Sequence, residues 1–455
     1  MADQSIYPDD PYRLNPQDIQ EPPKGRWATI KQLGPGLILT GSIVGSGELI
    51  ATTRLGAEVG FVVLWLILLS CAIKVPVQSA LGRHAIASGQ TTFVAFNRVP
   101  GPRWRVSWLV WGCLFLIFWS TMQTGGIVGA IGLTLELLFP FISGTLWMII
   151  ITGVGMALVL IGHYAALERT TMILVALFTF TTLGSAIMLF WTPYAVTPEV
   201  LIDGLQFALP SNGAVTAFAV FGITGVGATE LLLYPYWCLE KGYARATGAY
   251  DGSKAWRQRA IGWIGVMKKD VWLSMATYTI ATISFFFLGA SVLHTQGLIP
   301  EGFDAVQILS SMYTETLGGW AFYLFGVGAF VVLFSTYFVT IAGMSRMLAD
   351  AIGVLGLASY EDPRLRQRMI RRISIILPLL YALLYIIWSA PVMMVIIGGL
   401  MQTVLLPAIG WAALYYSRTT ARDVGIAPSN TFIVLLTIAT LVMAVFAFYA
   451  IWVRL

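Results

Sequence analysis

The sequence predicts an all-α polytopic membrane protein with about eleven transmembrane helices, and three observations predict it. Of its 455 residues 57% are hydrophobic and only 11% charged, where soluble domains carry roughly 25% charged residues. Apolar stretches recur along the whole chain, each near the ~20 residues that span a bilayer core of about 30 Å. Lys and Arg are also sorted to alternate connections, as the positive-inside rule expects.

The apolar stretches place spans near 33–53, 58–80, 106–138, 144–163, 167–191, 214–239, 271–293, 317–345, 371–389, 392–416 and 431–453. Residues 1–32 precede them and are polar and Pro-rich, as in DDPYRLNPQDIQEPPKGR. They hold no short apolar core of the signal-peptide kind and are expected to form a mobile cytosolic tail. Almost no sequence is left for a separate soluble domain.

With the N-terminus inside, cytosolic connections hold Arg83, Arg98, Arg103 and Arg105, then Arg169, then a run from Lys241 to Lys269, then Arg364 to Arg372, then Arg418 and Arg422. The opposite connections 140–143, 192–213 and 294–316 hold no Lys or Arg, and Arg54 and Arg454 are the exceptions. The expected topology is therefore multi-pass in the plasma membrane, with the N-terminus cytosolic and the C-terminus outside. This sorting accounts for the net charge of +5 without a nucleic-acid partner. The expected partners are the lipid bilayer and a small inorganic cation; no oligomeric state is specified.

Two stretches are nearly alike: VGSGEL, Val44 to Leu49, in span 1, and VGATEL, Val226 to Leu231, in span 6. Their placement predicts two five-helix halves, 33–191 and 214–417, joined by an extracellular connection at 192–213 and followed by a loop and eleventh helix at 418–455. Five is odd, so the second half is inverted, a plan in which the first helix of each half is broken. Gly45 and Gly47 flank Ser46 in span 1; Gly222, Gly225 and Gly227 crowd span 6, with Pro235 beyond. Each Gly costs a helix interior about 1 kcal/mol against Ala, and Pro removes a backbone donor.

Glu48 and Glu230 then stand where hydrocarbon is expected. An acidic residue at the bilayer centre costs roughly 2.5–3.5 kcal/mol on insertion scales, and unwound backbone at that depth survives only against protein or a wet cavity. Two carboxylates beside Ser46, Thr229 and the freed carbonyls around Gly45 and Gly227 form an oxygen-rich cation site, of the kind that suits Mg²⁺, Ca²⁺ or Mn²⁺. Lys74 offers another reading: it pairs with Glu48 or Glu230, or snorkels to the nearby interface. Ser335, Thr336 and Thr340 in span 8, and Gln123, Thr124 and Gln402 in spans 3 and 10, are candidate site or pathway residues, although such residues also serve ordinary helix packing. Asp270, Arg346 and Asp350 fall near cytosolic helix ends, as caps or gates. His84 and His163 lie near interfaces and His294 ends span 7. Cys71, Cys113 and Cys238 lie in apolar segments without metal-ligand spacing and are expected to be buried small hydrophobes. Neither zinc spacing nor a phosphate loop, nucleophile motif or dinucleotide fingerprint is present, so neither catalysis nor a cofactor is expected.

These residues resemble the Nramp divalent-metal transporters, which share the LeuT fold. LGPGLILTGSIVGSGELIATTRLGAEVGF resembles that family's first helix, GVGATELLLYPYW its sixth, KKDVWLSMATYTIATISFFFLGASVLHTQG its seventh, FSTYFVTIAGMSRMLAD its eighth and MQTVLLPAIGWAALYYSR its tenth. The resemblance implies a LeuT-like five-plus-five repeat with one added helix. It also exposes departures. The family's first-helix Asp-Pro-Gly-Asn is matched by Gly45-Ser46-Gly47-Glu48, so the metal-binding Asp is Gly45 and the Asn is Glu48. Glu230 or Leu231 stands where the sixth-helix Met would be, depending on a one-residue register choice, and the paired motifs favour Glu230. The third-helix acids used for proton movement align with Thr124 and Ile127, and a sixth-helix His is missing near Cys238. Loss of the thioether removes a soft ligand, which moves the expectation toward Mg²⁺, Ca²⁺ or a permissive divalent site. Loss of the acids weakens the case for proton coupling; two charges moving down the potential gain about 4.6 kcal/mol per 100 mV without it.

The expected function is a secondary transporter of a Mg²⁺- or Mn²⁺-like cation, working by alternating access between broken helices 1 and 6. Two alternatives are a Na⁺- or H⁺-coupled transporter of a small organic solute on the same fold, and a membrane subunit that does not transport.

Overall fold

The structure is a computed structural model and describes residues 10–161, 164–210 and 212–452. Its helices follow the apolar stretches, because a segment surrounded by hydrocarbon must satisfy its backbone polar groups internally. Among the described residues eight helical runs are long and apolar enough to cross a membrane; Gly144–Leu160 and Val175–Trp191 are shorter apolar helices. The first run, Pro35–Ser88, has 54 residues, long enough for two passages at about 1.5 Å per residue. It folds back at Gly60, whose φ of 62° suits glycine.

The elements are α1 (Pro35–Ile43), α2 (Thr53–Val59), α3 (Leu64–Ile73), α4 (Val75–Ser88), α5 (Trp108–Leu138), α6 (Gly144–Ile161), α7 (Tyr164–Met188), α8 (Ala214–Ile223), α9 (Ala228–Glu240), α10 (Lys254–Leu288), α11 (Ala321–Val354), α12 (Pro363–Ile387), α13 (Pro391–Arg418) and α14 (Asn430–Trp452). The class is all-α; one antiparallel pair joins Arg103–Trp104 to Val106–Ser107. α13 packs on α5, α8 and α14.

Both look-alike stretches are breaks. α1 stops at Ile43, Gly45 turns with φ −130° and ψ −117°, and a π-helical segment, Ser46–Thr52, leads into α2. α8 stops at Ile223, Thr224 is extended, and α9 starts after Gly227. Gly225 between them has φ 67°. The glycine in each motif, Gly45 or Gly227, is the N-cap of the segment after its break, and Glu48 or Glu230 is the third residue of that segment.

Several helices outrun the apolar stretches. α10 begins at Lys254, well before 271, and α12 begins at Pro363, before 371. Hydropathy marks the membrane-facing part of a helix, whereas the end is set by caps. Ser253 Oγ accepts from the Trp256 N–H at 3.0 Å, and Asp362 Oδ1 accepts from Arg364 N–H at 2.8 Å. The second span likewise runs on to Ser88, so Lys74 sits at the α3–α4 junction in the middle of the passage, fully buried. It does not snorkel.

The segment after residue 9, expected to be a mobile tail, is anchored to the bundle at Asp10 and Tyr12. Asp10 is 6% exposed and pairs with buried Arg366. The Arg366 guanidinium lies 4.7 Å from the Tyr12 ring and 5.2 Å from the Tyr360 ring. Tyr12 donates to Glu240 at 2.7 Å, and Arg346 contacts the same Glu240 oxygen at 2.5 Å. Arg54, the exception to the charge sorting, donates to Pro300 O at 2.8 Å and Glu301 at 2.6 Å. Cys71, Cys113 and Cys238 are buried and free. His163 and Arg454 lie outside the described residues.

Candidate functional site

α10 holds the start of the half-helix that ends at the first break. Asp270 accepts from the N–H groups of Gly34, at 2.9 Å, and Gly36, at 2.5 Å. Ser274 donates to Gly36 O at 2.9 Å and meets Thr40 Oγ1 at 2.8 Å. Asp270 thus caps the N-terminus of α1 from another helix, satisfying donors that the helix itself cannot. The close approach explains Gly36, where a Cβ would lie 2.8 Å from Asp270 Oδ2 and 3.0 Å from Ser274 Cβ. Asp350 is also buried and accepts from Tyr236 at 2.5 Å.

Between the breaks lies a small cavity of about 20 Å³, walled by α1, the Ser46–Thr52 segment, α5, α8, α9, α11 and α13. Its carboxylate is Glu230; around it stand Ser42, Ser46, Ser120, Gln123, Thr124, Thr229, Thr336, Thr340 and Gln402, with Met344 in the same wall. Glu230 is half-buried and accepts from Ser42 at 3.3 Å. Its place in the first turn of α9 puts the carboxylate at the positive end of that half-helix. Gln402 completes the wall: its Oε1 accepts from the Thr229 N–H at 3.1 Å, and its Nε2 donates to Gln123 Oε1 at 2.8 Å. One α13 side chain therefore caps α9 and ties it to α5. Thr229 Oγ1 also meets Ser120 Oγ at 2.9 Å.

A family model described as Natural resistance-associated macrophage protein-like (Nramp) matches residues 36–453. The chain belongs to the Nramp family. Its members are membrane transporters and not enzymes; the metal cation is their cargo, and they carry no cofactor. An uncharacterized protein of Pasteurella multocida (strain Pm70) is 24% identical over 352 residues, 76% of each chain. The Eremococcus coleocola manganese transporter, solved with an aromatic bis-isothiourea compound, aligns at TM-score 0.62 and 14% identity, covering 96% of this chain and 91% of its own. MhsT in complex with L-phenylalanine aligns at TM-score 0.53 and 16% identity, covering 94% and 100%. At these identities the two structures speak for the fold, which is LeuT-like.

Within this Nramp-family chain the expected site residues divide. Ser46, Gln123, Thr124, Thr229, Glu230, Thr336, Thr340 and Gln402 line the cavity; Glu48, Lys74, Gly45, Gly227 and Ser335 do not. Glu48 is fully buried, and its oxygens meet Thr282 Oγ1 at 2.7 Å, Thr52 Oγ1 at 3.1 Å and Thr224 Oγ1 at 3.5 Å. Among the described residues no ion pair joins Lys74 to either glutamate. The glycines shape the cavity from behind. A Cβ on Gly45 would run into the Thr336 side chain, and one on Gly227 would meet Glu230 and, at 2.8 Å, Gln402. Thr336 thus fills the space that a side chain at position 45 would need. Ser335 instead donates to Gly41 O at 3.3 Å.

Ser42, Ser120 and Met344 line the cavity without having stood out in the sequence. Ser120 and Met344 sit four residues from Thr124 and Thr340 on their own helices, Ser42 lies just before the break, and those spacings are the only trace they leave. Thr124 and Ile127 both face the cavity.

Proposed function

We propose that this chain carries a divalent cation of the Mg²⁺ or Mn²⁺ kind across the plasma membrane by alternating access, and that Glu230 is the carboxylate that meets the cargo. The observation that carries the reading is the chemistry of the cavity. One carboxylate at a half-helix N-terminus is ringed by hydroxyl and amide oxygens, the ligand set of hard divalent cations. Met344 adds a thioether in the wall, which suits a permissive site that admits Mn²⁺ beside Mg²⁺. Ser46 and Thr229 flank the two breaks, and the backbone around Gly45 and Gly227 supplies further oxygens as the half-helices move. Glu48 holds the first broken segment against α10 and the end of α8, so it serves the moving parts more directly than the ion.

In this reading the chain crosses the membrane eleven times, with the N-terminus cytosolic and the C-terminus outside. The halves are 33–191 and 214–417, joined by 192–213, after the segment 1–32 and before the loop and helix of 418–455. The bundle holding both breaks rocks against the rest. Thr124 and Ile127 offer no carboxylate for a proton route, and the membrane potential alone can drive a dication inward.

The test is Mg²⁺ and Mn²⁺ uptake into proteoliposomes under an imposed potential, with Glu230→Gln alongside. The expected result is saturable, potential-driven uptake that the variant loses while remaining folded. Absence of divalent uptake by the wild type under every potential and pH gradient overturns the reading. Uptake of an organic cation in its place would assign the cavity to a solute.

A further inference from the structure

The two breaks are related by more than their sequence. Glu230 reaches across to Ser42, in the last turn of α1. Glu48 reaches across to Thr224, just past the end of α8. Each carboxylate approaches the end of the opposite half-helix, so the fold contains two like-built positions. Beside the Glu230 contact lies the open cavity. Beside the Glu48 contact lies Lys74.

The Lys74 Nζ donates to Phe221 O, to Thr224 O at 2.7 Å and to Ser70 Oγ at 3.0 Å, and lies 5.0 Å from the centre of the Phe221 ring. Ser70 Oγ turns to the same carbonyls, at 3.2 and 3.1 Å. The residue is fully buried. The carbonyls are those that the last turn of a helix leaves without intrahelical donors, at its negative end. Two such carbonyls, a hydroxyl and a nearby carboxylate are the oxygen set that half-helix ends in transporters offer to a monovalent ion. An ordinary packing position would not put a lysine here, because burying an ammonium is costly unless it is fully partnered.

We propose that Lys74 is a tethered cation occupying a monovalent-ion site at the end of α8, so that this position needs no dissolved Na⁺ or K⁺. The ammonium balances Glu48 through Thr224, which takes one on its carbonyl and the other on its hydroxyl. The proposal concerns a position distinct from the Glu230 cavity and stands whatever the cargo is.

The experiment is thermal unfolding of the full-length protein in detergent at constant ionic strength, in NaCl, KCl, methylammonium chloride or choline chloride. Wild type, Lys74→Ala and Lys74→Met are compared. Wild type is expected to unfold at the same temperature in all four salts. Lys74→Ala is expected to unfold earlier and to recover saturably with Na⁺, K⁺ or methylammonium, but not with the bulkier choline, since binding to the folded state alone raises stability by mass action. Lys74→Met, which keeps the bulk and loses the charge, is expected to unfold earlier without recovery. A Lys74→Ala protein that responds to none of the small cations, or a wild type that is itself stabilised saturably by Na⁺, overturns the proposal. If Lys74→Ala can be purified only with a small cation present, the proposal is supported; if no small cation permits its recovery, it is overturned.

Discussion

Glu48 and Glu230 occupy the same position after their respective breaks, three residues past the glycine, and their surroundings differ. Glu230 faces the cavity with one hydroxyl contact, from Ser42 at 3.3 Å. Glu48 is enclosed by the hydroxyls of Thr52, Thr224 and Thr282. Neutralising each should therefore have different consequences. Glu230→Gln should cut divalent uptake more than tenfold with little change in unfolding temperature, since that carboxylate is open to water or cargo. Glu48→Gln should lower stability by about 1–3 kcal/mol, the range for leaving buried hydrogen-bonding groups without a partner. Uptake kinetics and thermal unfolding on the same preparations check both; equal stability losses would mean that the two carboxylates share one environment.

The sequence showed this relationship only in part. The repeat VGSGEL and VGATEL located both breaks, because glycine and a buried acid are each expensive in a membrane helix and here they coincide. Gln402, Gln123, Thr124 and Thr336 could be singled out because polar side chains in apolar spans are few. What could not be read was direction. Glu48 and Glu230 are equivalent in sequence, and which one faces the cavity depends on Thr52, Thr224 and Thr282, contributed by three separate segments. Snorkelling was one reading of Lys74 because hydropathy ends its span near residue 80, whereas the helix continues through polar Arg83 and His84 to Ser88. The packing of Asp10 and Tyr12 left no trace in composition either; their partners Arg366 and Glu240 lie far away in the chain.

Gly45 and Thr336 form a size-matched pair. A Cβ at 45 would overlap the Thr336 side chain, and overpacking of this kind typically costs 1–3 kcal/mol. Gly45→Ala should destabilise the protein by about that amount. Combined with Thr336→Ala it should cost measurably less than the sum of the two single changes, with a coupling of about 0.5 kcal/mol or more. A double-mutant cycle on unfolding temperature measures it, and strict additivity would show that the break relaxes independently of α11.

Gln402 has two hydrogen bonds with separable roles. Gln402→Leu leaves the Thr229 N–H without its partner and should destabilise by about 1–3 kcal/mol. Gln123→Leu spares that cap and removes only the amide-to-amide bond, so its cost should be smaller, about 0.5–1.5 kcal/mol. Both line the cavity, so both should also raise the half-saturating concentration for cargo. Unfolding and concentration-dependent uptake distinguish the two effects; a larger stability loss for Gln123→Leu would contradict the assignment of Gln402 as the cap.

Asp270 caps α1 from α10, through Gly34 and Gly36. Replacement of a capping carboxylate by Ala costs about 0.5–2 kcal/mol. Here the helix being capped ends at the first break, so the loss should appear at the break as well as in global stability. Asp270→Ala should lower the unfolding temperature and increase amide hydrogen exchange across Pro35–Val44. Asp270→Asn keeps an acceptor oxygen but loses the charge, and should fall between Ala and wild type. Exchange unchanged in that segment for both variants would indicate that α1 is held by packing alone.

Asp10 and Arg366 join the N-terminal segment to the start of α12, and both are at least nine-tenths buried. Arg366 also packs against the rings of Tyr12 and Tyr360, which meet each other edge-on. Removing one member of a buried pair leaves the other uncompensated, a loss of about 3–5 kcal/mol where the surroundings cannot relax. The N-terminal segment can detach, so the loss should be smaller globally and concentrated there. Asp10→Ala should make the segment before Arg26 sensitive to protease while the helical bundle stays folded. Arg366→Lys keeps the charge but loses the broad guanidinium that packs against both tyrosines, and should expose the segment to an intermediate degree. Limited proteolysis followed by mass spectrometry reads both variants. Protection equal to wild type in Asp10→Ala would show that Tyr12 and its bond to Glu240 hold the segment without the ion pair.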